Sequence, residues 1–99
     1  MEFLVEFEVA VPDGTSESEV KRRNRAEAVA AAGLAAEGHL LRLWRPTVDG
    51  DDPTAVGLYA ADSQAELDAL LRALPLANWM QVTVVPLASH PNDPGRDVR

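Results

Sequence analysis

Two copies of one short signal divide this chain. Ser16 is followed three residues later by Glu19, and Ser63 by Glu66. In each case the serine hydroxyl can accept the backbone N–H of the glutamate while the glutamate side chain reaches back, the reciprocal cap that opens a helix. The first signal leads into an alanine-rich stretch that runs to Gly38, a natural helix stop. After the second, Leu67, Leu70, Leu71 and Leu74 fall at i, i+3, i+4 and i+7, and Pro75 ends the run. Strand patterns flank both helices. Phe3, Val5, Phe7, Val9 and Val11 alternate with Leu4, Glu6, Glu8 and Ala10 up to the turn Pro12-Asp13-Gly14, and 39–45, 54–60 and 80–87 supply three more strands. The order βαββαβ predicts an α+β, ferredoxin-like sandwich: an antiparallel four-stranded sheet with both helices on one face.

The sequence of 99 residues has room for one core. Residues 1–88 are expected to form the domain and 89–99 a tail, packed on a neighbouring subunit or disordered. Whichever side of the sheet meets the helices, some of Leu41, Leu43, Trp44, Val56, Leu58 and Tyr59 remain on the other. An uncovered apolar sheet face is more than monomers usually tolerate, so self-association follows, of the kind that builds dimeric α+β barrels. The connection 46–53 holds Asp49, Asp51 and Asp52 and is too polar to bury.

Composition excludes several classes. A formal charge of −7 repels phosphate backbones and anionic lipid, so neither nucleic acid nor membrane is an expected partner. Lys21, Arg22, Arg23 and Arg25 spread around several faces of a helix and read as solvated surface. The acidic, alternating N-terminus is a strand and not a leader peptide, no stretch has the length of a bilayer-spanning helix, and a cysteine-free chain fits a reducing compartment such as the cytoplasm. His39 and His90 are too few and too far apart for a metal site, and no nucleotide-binding or serine-hydrolase motif occurs. No cofactor is expected.

Two constellations can carry chemistry. Val20, Asn24, Glu27, Ala31 and Leu34 are spaced 4, 3, 4, 3 and share one inward arc of the first helix. A carboxylate there is either half of a structural ion pair, with Arg23 or an arginine of the sheet, or sits at the edge of a cavity, where burial would raise its pKa into the range of a general base. On the second strand, alternation sends Arg42 and Trp44 to one face and Arg45 to the other. Such residues either hold a substrate carboxylate against an apolar wall or anchor an interface between subunits.

Read together, these residues resemble the muconolactone delta-isomerase family: the opening Met1-x-Phe3-x-Val5, Glu27 on the first helix, Glu37-Gly38 leading into Leu43-Trp44-Arg45, then Leu74-Pro75-Leu76, Met80 and His90-Pro91. The resemblance covers nearly the whole chain. It implies a cofactor-independent enzyme of aromatic catabolism, in the β-ketoadipate route, an intramolecular oxidoreductase that transposes a C=C bond. It further implies a homodecamer with sites near subunit contacts. Muconolactone would lose the proton at C4, pass through a dienolate and be protonated at C2, giving 3-oxoadipate enol-lactone. Glu27 would be the catalytic base. Arg42 or Arg45 would hold the substrate carboxylate, with Trp44, Tyr59 and His39 completing the binding site. The alternatives are a non-catalytic binding or assembly module, and a cofactor-free oxygenase on the same scaffold.

Overall fold

The computed structural model describes residues 1–46 and 54–95. Its elements are β1 (Glu2–Val9), α1 (Glu17–Ala36), β2 (Leu40–Trp44), β3 (Thr54–Ala60), α2 (Gln64–Arg72) and β4 (Met80–Leu87), with a 3-10 turn at Ala77–Trp79. The βαββαβ order is the expected one. The strands form one antiparallel sheet in the order β2-β3-β1-β4, the arrangement of a ferredoxin-like sandwich. Apart from Pro46, the acidic connection 46–53 lies outside the described residues, as do positions 96–99 of the tail.

Both helix caps form as the spacing requires. The Ser16 and Ser63 hydroxyls accept the N–H groups of Glu19 and Glu66 at 3.1 Å each; the Glu66 side chain reaches back one residue past the cap to the Asp62 N–H, while Glu19 turns to Arg22 and Arg23. At the far end of α1 the His39 N–H reaches the Leu34 carbonyl and the Gly38 N–H that of Ala35, a crossed pair of bonds that needs the positive φ of +82 at Gly38. β1 stops at Val9, two residues short of the apolar alternation. The Ala10 N–H bonds the Trp79 carbonyl, and Pro12 follows, which has no N–H to extend a ladder.

Register decides what each face carries. Phe3, Val5 and Phe7 of β1 are buried and stand opposite Tyr59, Gly57 and Ala55 of β3, so all six look toward the helices. Leu67, Leu71 and Leu74 press α2 and the residues after it into that layer and are at most 7% exposed. α1 is different, for Leu34 is its one buried residue among the described ones. The alanine side chains of α1 are short, and so is Ala55 beneath them. The gap left between α1 and β3 is a direct result of small residues meeting small residues. On the opposite face Leu4, Val56, Leu58, Val85 and Leu87 form an apolar surface open to solvent in the single chain.

A methyl group added at Gly57 would stand 2.6 Å from Tyr59 Cε1, inside van der Waals contact. The Tyr59 ring lies where it does because Gly57 has no side chain. Gly57→Ala should therefore lower stability by about 1–3 kcal/mol, read as a lower midpoint in urea unfolding followed by Tyr59 and tryptophan fluorescence.

Candidate active site

The gap under α1 is a hollow of about 360 Å³. Asn24, Glu27, Ala28 and Ala31 roof it; Phe7, Leu43, Ala55 and Tyr59 form its floor; Leu74, Leu76 and Met80 close one side. Asn24, Glu27 and Tyr59 are its polar side chains, set in an otherwise apolar wall. That combination, a largely greasy hollow with a few convergent polar groups, is the usual form of a small-molecule site.

Glu27 stands where the helical arc places it, half-buried at the edge of the hollow. Its Oε1 accepts the Leu76 N–H at 3.0 Å. Burial pushes the carboxyl above the ordinary range because the charged form loses water, and the Leu76 N–H opposes part of that rise by favouring the carboxylate. No ion pair to Glu27 forms among the described residues. Arg23 is engaged elsewhere: its Nε donates to Glu19 Oε2 at 2.8 Å, and Glu19 also pairs with Arg22. Tyr59 is 3% exposed, its ring edge-on to Phe7 at 5.9 Å between centroids. Its hydroxyl is pushed up to about 12, first by burial and second by the negative charge of Glu27. The phenol consequently stays a hydrogen-bond donor throughout the neutral range.

Comparison with known proteins places the chain in a family. A model of the family described as muconolactone delta-isomerase matches residues 1–93. The chain belongs to the muconolactone delta-isomerase family. Muconolactone Delta-isomerase 1 of Acinetobacter lwoffii is 30% identical over 95 residues, 93% of either chain. A crystal structure of muconolactone isomerase is similar with a TM-score of 0.87 at 26% identity, over 100% of both chains. A 5-chloro-2-hydroxyhydroquinone dehydrochlorinase from Burkholderia phenoliruptrix, solved with 2,5-dihydroxybenzoquinone, gives a TM-score of 0.65 at 16% identity, covering 91% of this chain and 96% of that one. That last likeness shows the fold alone.

Several residues on which the sequence resemblance rests surround the hollow: Glu27, Leu43, Leu74, Leu76 and Met80 all line it. The other sequence-derived site residues are distributed differently. Tyr59 joins Glu27. Arg42 and Trp44 share a face, as alternation requires, but they stand opposite Leu58 and Val56 on the side of the sheet away from the hollow, with the guanidinium 5.1 Å from the indole centroid. Arg45 is exposed and follows the end of β2, two positions after Leu43. His39 donates from Nδ1 to the Ala60 carbonyl at 2.9 Å and lines a separate depression with Glu37, Asp62 and Glu66. The Leu76 N–H is the contact that sequence reading passed over. α2 ends at Arg72, earlier than the leucine spacing up to Pro75 predicts, so the Leu76 N–H lies beyond helical bonding, and a buried donor must then find another acceptor.

Two measurements check this electrostatic description. Tyr59 is the chain's single tyrosine, so ultraviolet absorbance reports its ionisation alone. The midpoint should lie near 12 and should fall in Glu27→Gln while staying above that of free tyrosine, because burial remains when the charge is gone. For stability the sign follows from Glu27 holding its proton more tightly folded than unfolded. The folded chain then binds more protons between the ordinary carboxylate value and the raised one, so Glu27 costs stability as pH rises through that interval. Glu27→Gln should melt above the parent at neutral pH, and thermal unfolding should show the difference disappearing in acid below the ordinary carboxylate range.

Proposed function

We propose that this chain is a cofactor-independent isomerase that moves a C=C bond in a small unsaturated lactone, converting muconolactone, or a close analogue, to 3-oxoadipate enol-lactone. The observation that carries the reading is Glu27: a carboxylate free of any ion pair among the described residues, raised in proton affinity, at the edge of a largely apolar hollow. A carboxylate kept for structure would be paired. One kept for proton transfer needs a free oxygen, and with Oε1 on the Leu76 N–H, Oε2 is the one to act.

In this mechanism Glu27 removes the proton at C4, and the C4–H electron pair enters the ring as the C3=C4 bond. The former C2=C3 pair moves toward the carbonyl, giving a dienolate. Return of the same proton to C2 restores the carbonyl and leaves the double bond between C3 and C4. The Tyr59 hydroxyl, protonated at working pH, is the donor we assign to the dienolate oxygen. Phe7, Leu43 and Leu76 exclude water from the intermediate.

Among the described residues no cation lines the hollow, so the group that holds the substrate carboxylate must come from its rim or from another copy. Arg45 is favoured within the chain because it continues β2 beyond Leu43, itself a floor residue. Arg42, Trp44 and His39 are turned away from the hollow of their own chain. We place them at contacts between copies, where the apolar face of Leu4, Val56, Leu58, Val85 and Leu87 would be covered by a second subunit of a homo-oligomer.

Purified protein should isomerise muconolactone in an ultraviolet assay with nothing added. Glu27→Gln should lose roughly 10²–10⁴-fold in kcat. In the parent, kcat/KM should rise with pH through a midpoint above the ordinary carboxylate range, since the base works deprotonated and burial raises its pKa. Inert parent protein would rule out the substrate, and a fully active Glu27→Gln would rule out the base.

A further inference from the structure

Arg23 lies one helical turn before Glu27 and makes a contact that neither solvation nor its bond to Glu19 accounts for. Its guanidinium sits 4.6 Å over the Trp79 ring, and its Nη1 donates to the Pro75 carbonyl at 3.2 Å. The N–H on the other edge of that same peptide group belongs to Leu76, and it donates to Glu27 Oε1 at 3.0 Å. Guanidinium, carbonyl, N–H and carboxylate thus form one chain through a single planar peptide. A cation bonded to the carbonyl draws electron density toward oxygen, which makes the N–H at the opposite edge a stronger donor.

We infer that Arg23 is a positioning residue for Glu27 and acts through the Pro75–Leu76 peptide group, fixing its orientation and strengthening the donor it offers to the carboxylate. Trp79 and Glu19 hold the guanidinium from two further sides, so its direction is set before substrate arrives. This assignment rests on the reading of Glu27 as the base. Around the hollow, α1 contributes Arg23 through this relay and the neutral Asn24; β3 contributes Tyr59; and the facing groups Phe7 of β1, Leu43 of β2, Met80 of β4 and Leu76 are apolar. Tyr59 is protonated while Glu27 titrates, and among the described residues Arg23 is the cation bonded to the peptide group that Glu27 uses.

The test is NMR titration of the Glu27 carboxyl carbon and the Leu76 amide in the parent and in Arg23→Met, with pH–rate profiles of both. Without the guanidinium the Glu27 midpoint should rise by about half a unit to one unit. The Leu76 amide proton should move upfield, and the acidic limb of kcat/KM should shift upward with the carboxyl while KM stays nearly constant. Arg23→Lys, which keeps the charge and can reach the same carbonyl, should recover most of the shift. An unchanged midpoint in Arg23→Met overturns the proposal; a midpoint that moves while the Leu76 amide does not reduces it to charge acting through space and overturns the peptide route. A check without substitution is available in the parent. The Arg23 Nε–H resonance should show one inflection from Glu19, below the ordinary carboxylate range, and a second from Glu27, above it; absence of the second is equally contradictory. Should these spectra behave as expected in a protein that leaves muconolactone unchanged, the proposed reaction fails and the Arg23 relay stands.

Discussion

The hydrogen bond from the Leu76 N–H to Glu27 joins the two halves of the chain at the edge of the hollow between them. α1 belongs to the first strand-helix-strand half and Leu76 to the second, and between them lies the gap that Ala28 and Ala31 above and Ala55 below cannot fill. A fully packed interface there would have no site. A gap with no polar link would leave α1 with little besides Leu34 to hold it over the sheet. The bond lets a carboxylate remain in a poorly solvated place without a counter-ion, because the backbone donor replaces part of the water that burial removes. Stability and chemistry are in tension at this residue, as expected when a site is held at some cost to the fold.

Most of the architecture was legible because each element carries its own local signal. The two serine-glutamate caps, the leucine stripe of α2 and the alternation of β1 each have one structural solution, and their order leaves few topologies. The end of β1 was not legible from alternation, since Val11 continues the pattern while the ladder ends with the Ala10–Trp79 bond. Glu27 could be placed on the inward face by spacing, but spacing could not decide between an ion pair and a cavity. That choice depended on Arg23 turning to Glu19 and Pro75, the second of which is 52 positions away in sequence. The arginine pair on β2 was separable by alternation, yet which face meets the helices depends on the β2–β3 register and on the irregularity between Leu40 and Arg42.

The chain belongs to the muconolactone delta-isomerase family, and several of the residues on which the sequence resemblance rests line the hollow under α1. Leu74-Pro75-Leu76 shows how a short run of plain residues can build a site. Leu74 and Leu76 wall the hollow, Pro75, three residues beyond the end of α2 at Arg72, offers a carbonyl to Arg23, and the N–H that follows bonds Glu27. None of the three side chains has any chemistry of its own to perform.

The account depends on Glu27 facing a largely apolar hollow that a small lactone can enter, and a crystal structure with an unreactive lactone carboxylate bound tests this most directly. The ligand ring should occupy the space between α1 and β3, with a ring carbon about 3–3.5 Å from Glu27 Oε2 and its carbonyl oxygen toward Tyr59. A ligand bound elsewhere, or a Glu27 carboxylate closed against a guanidinium with the hollow filled by side chains, would contradict it.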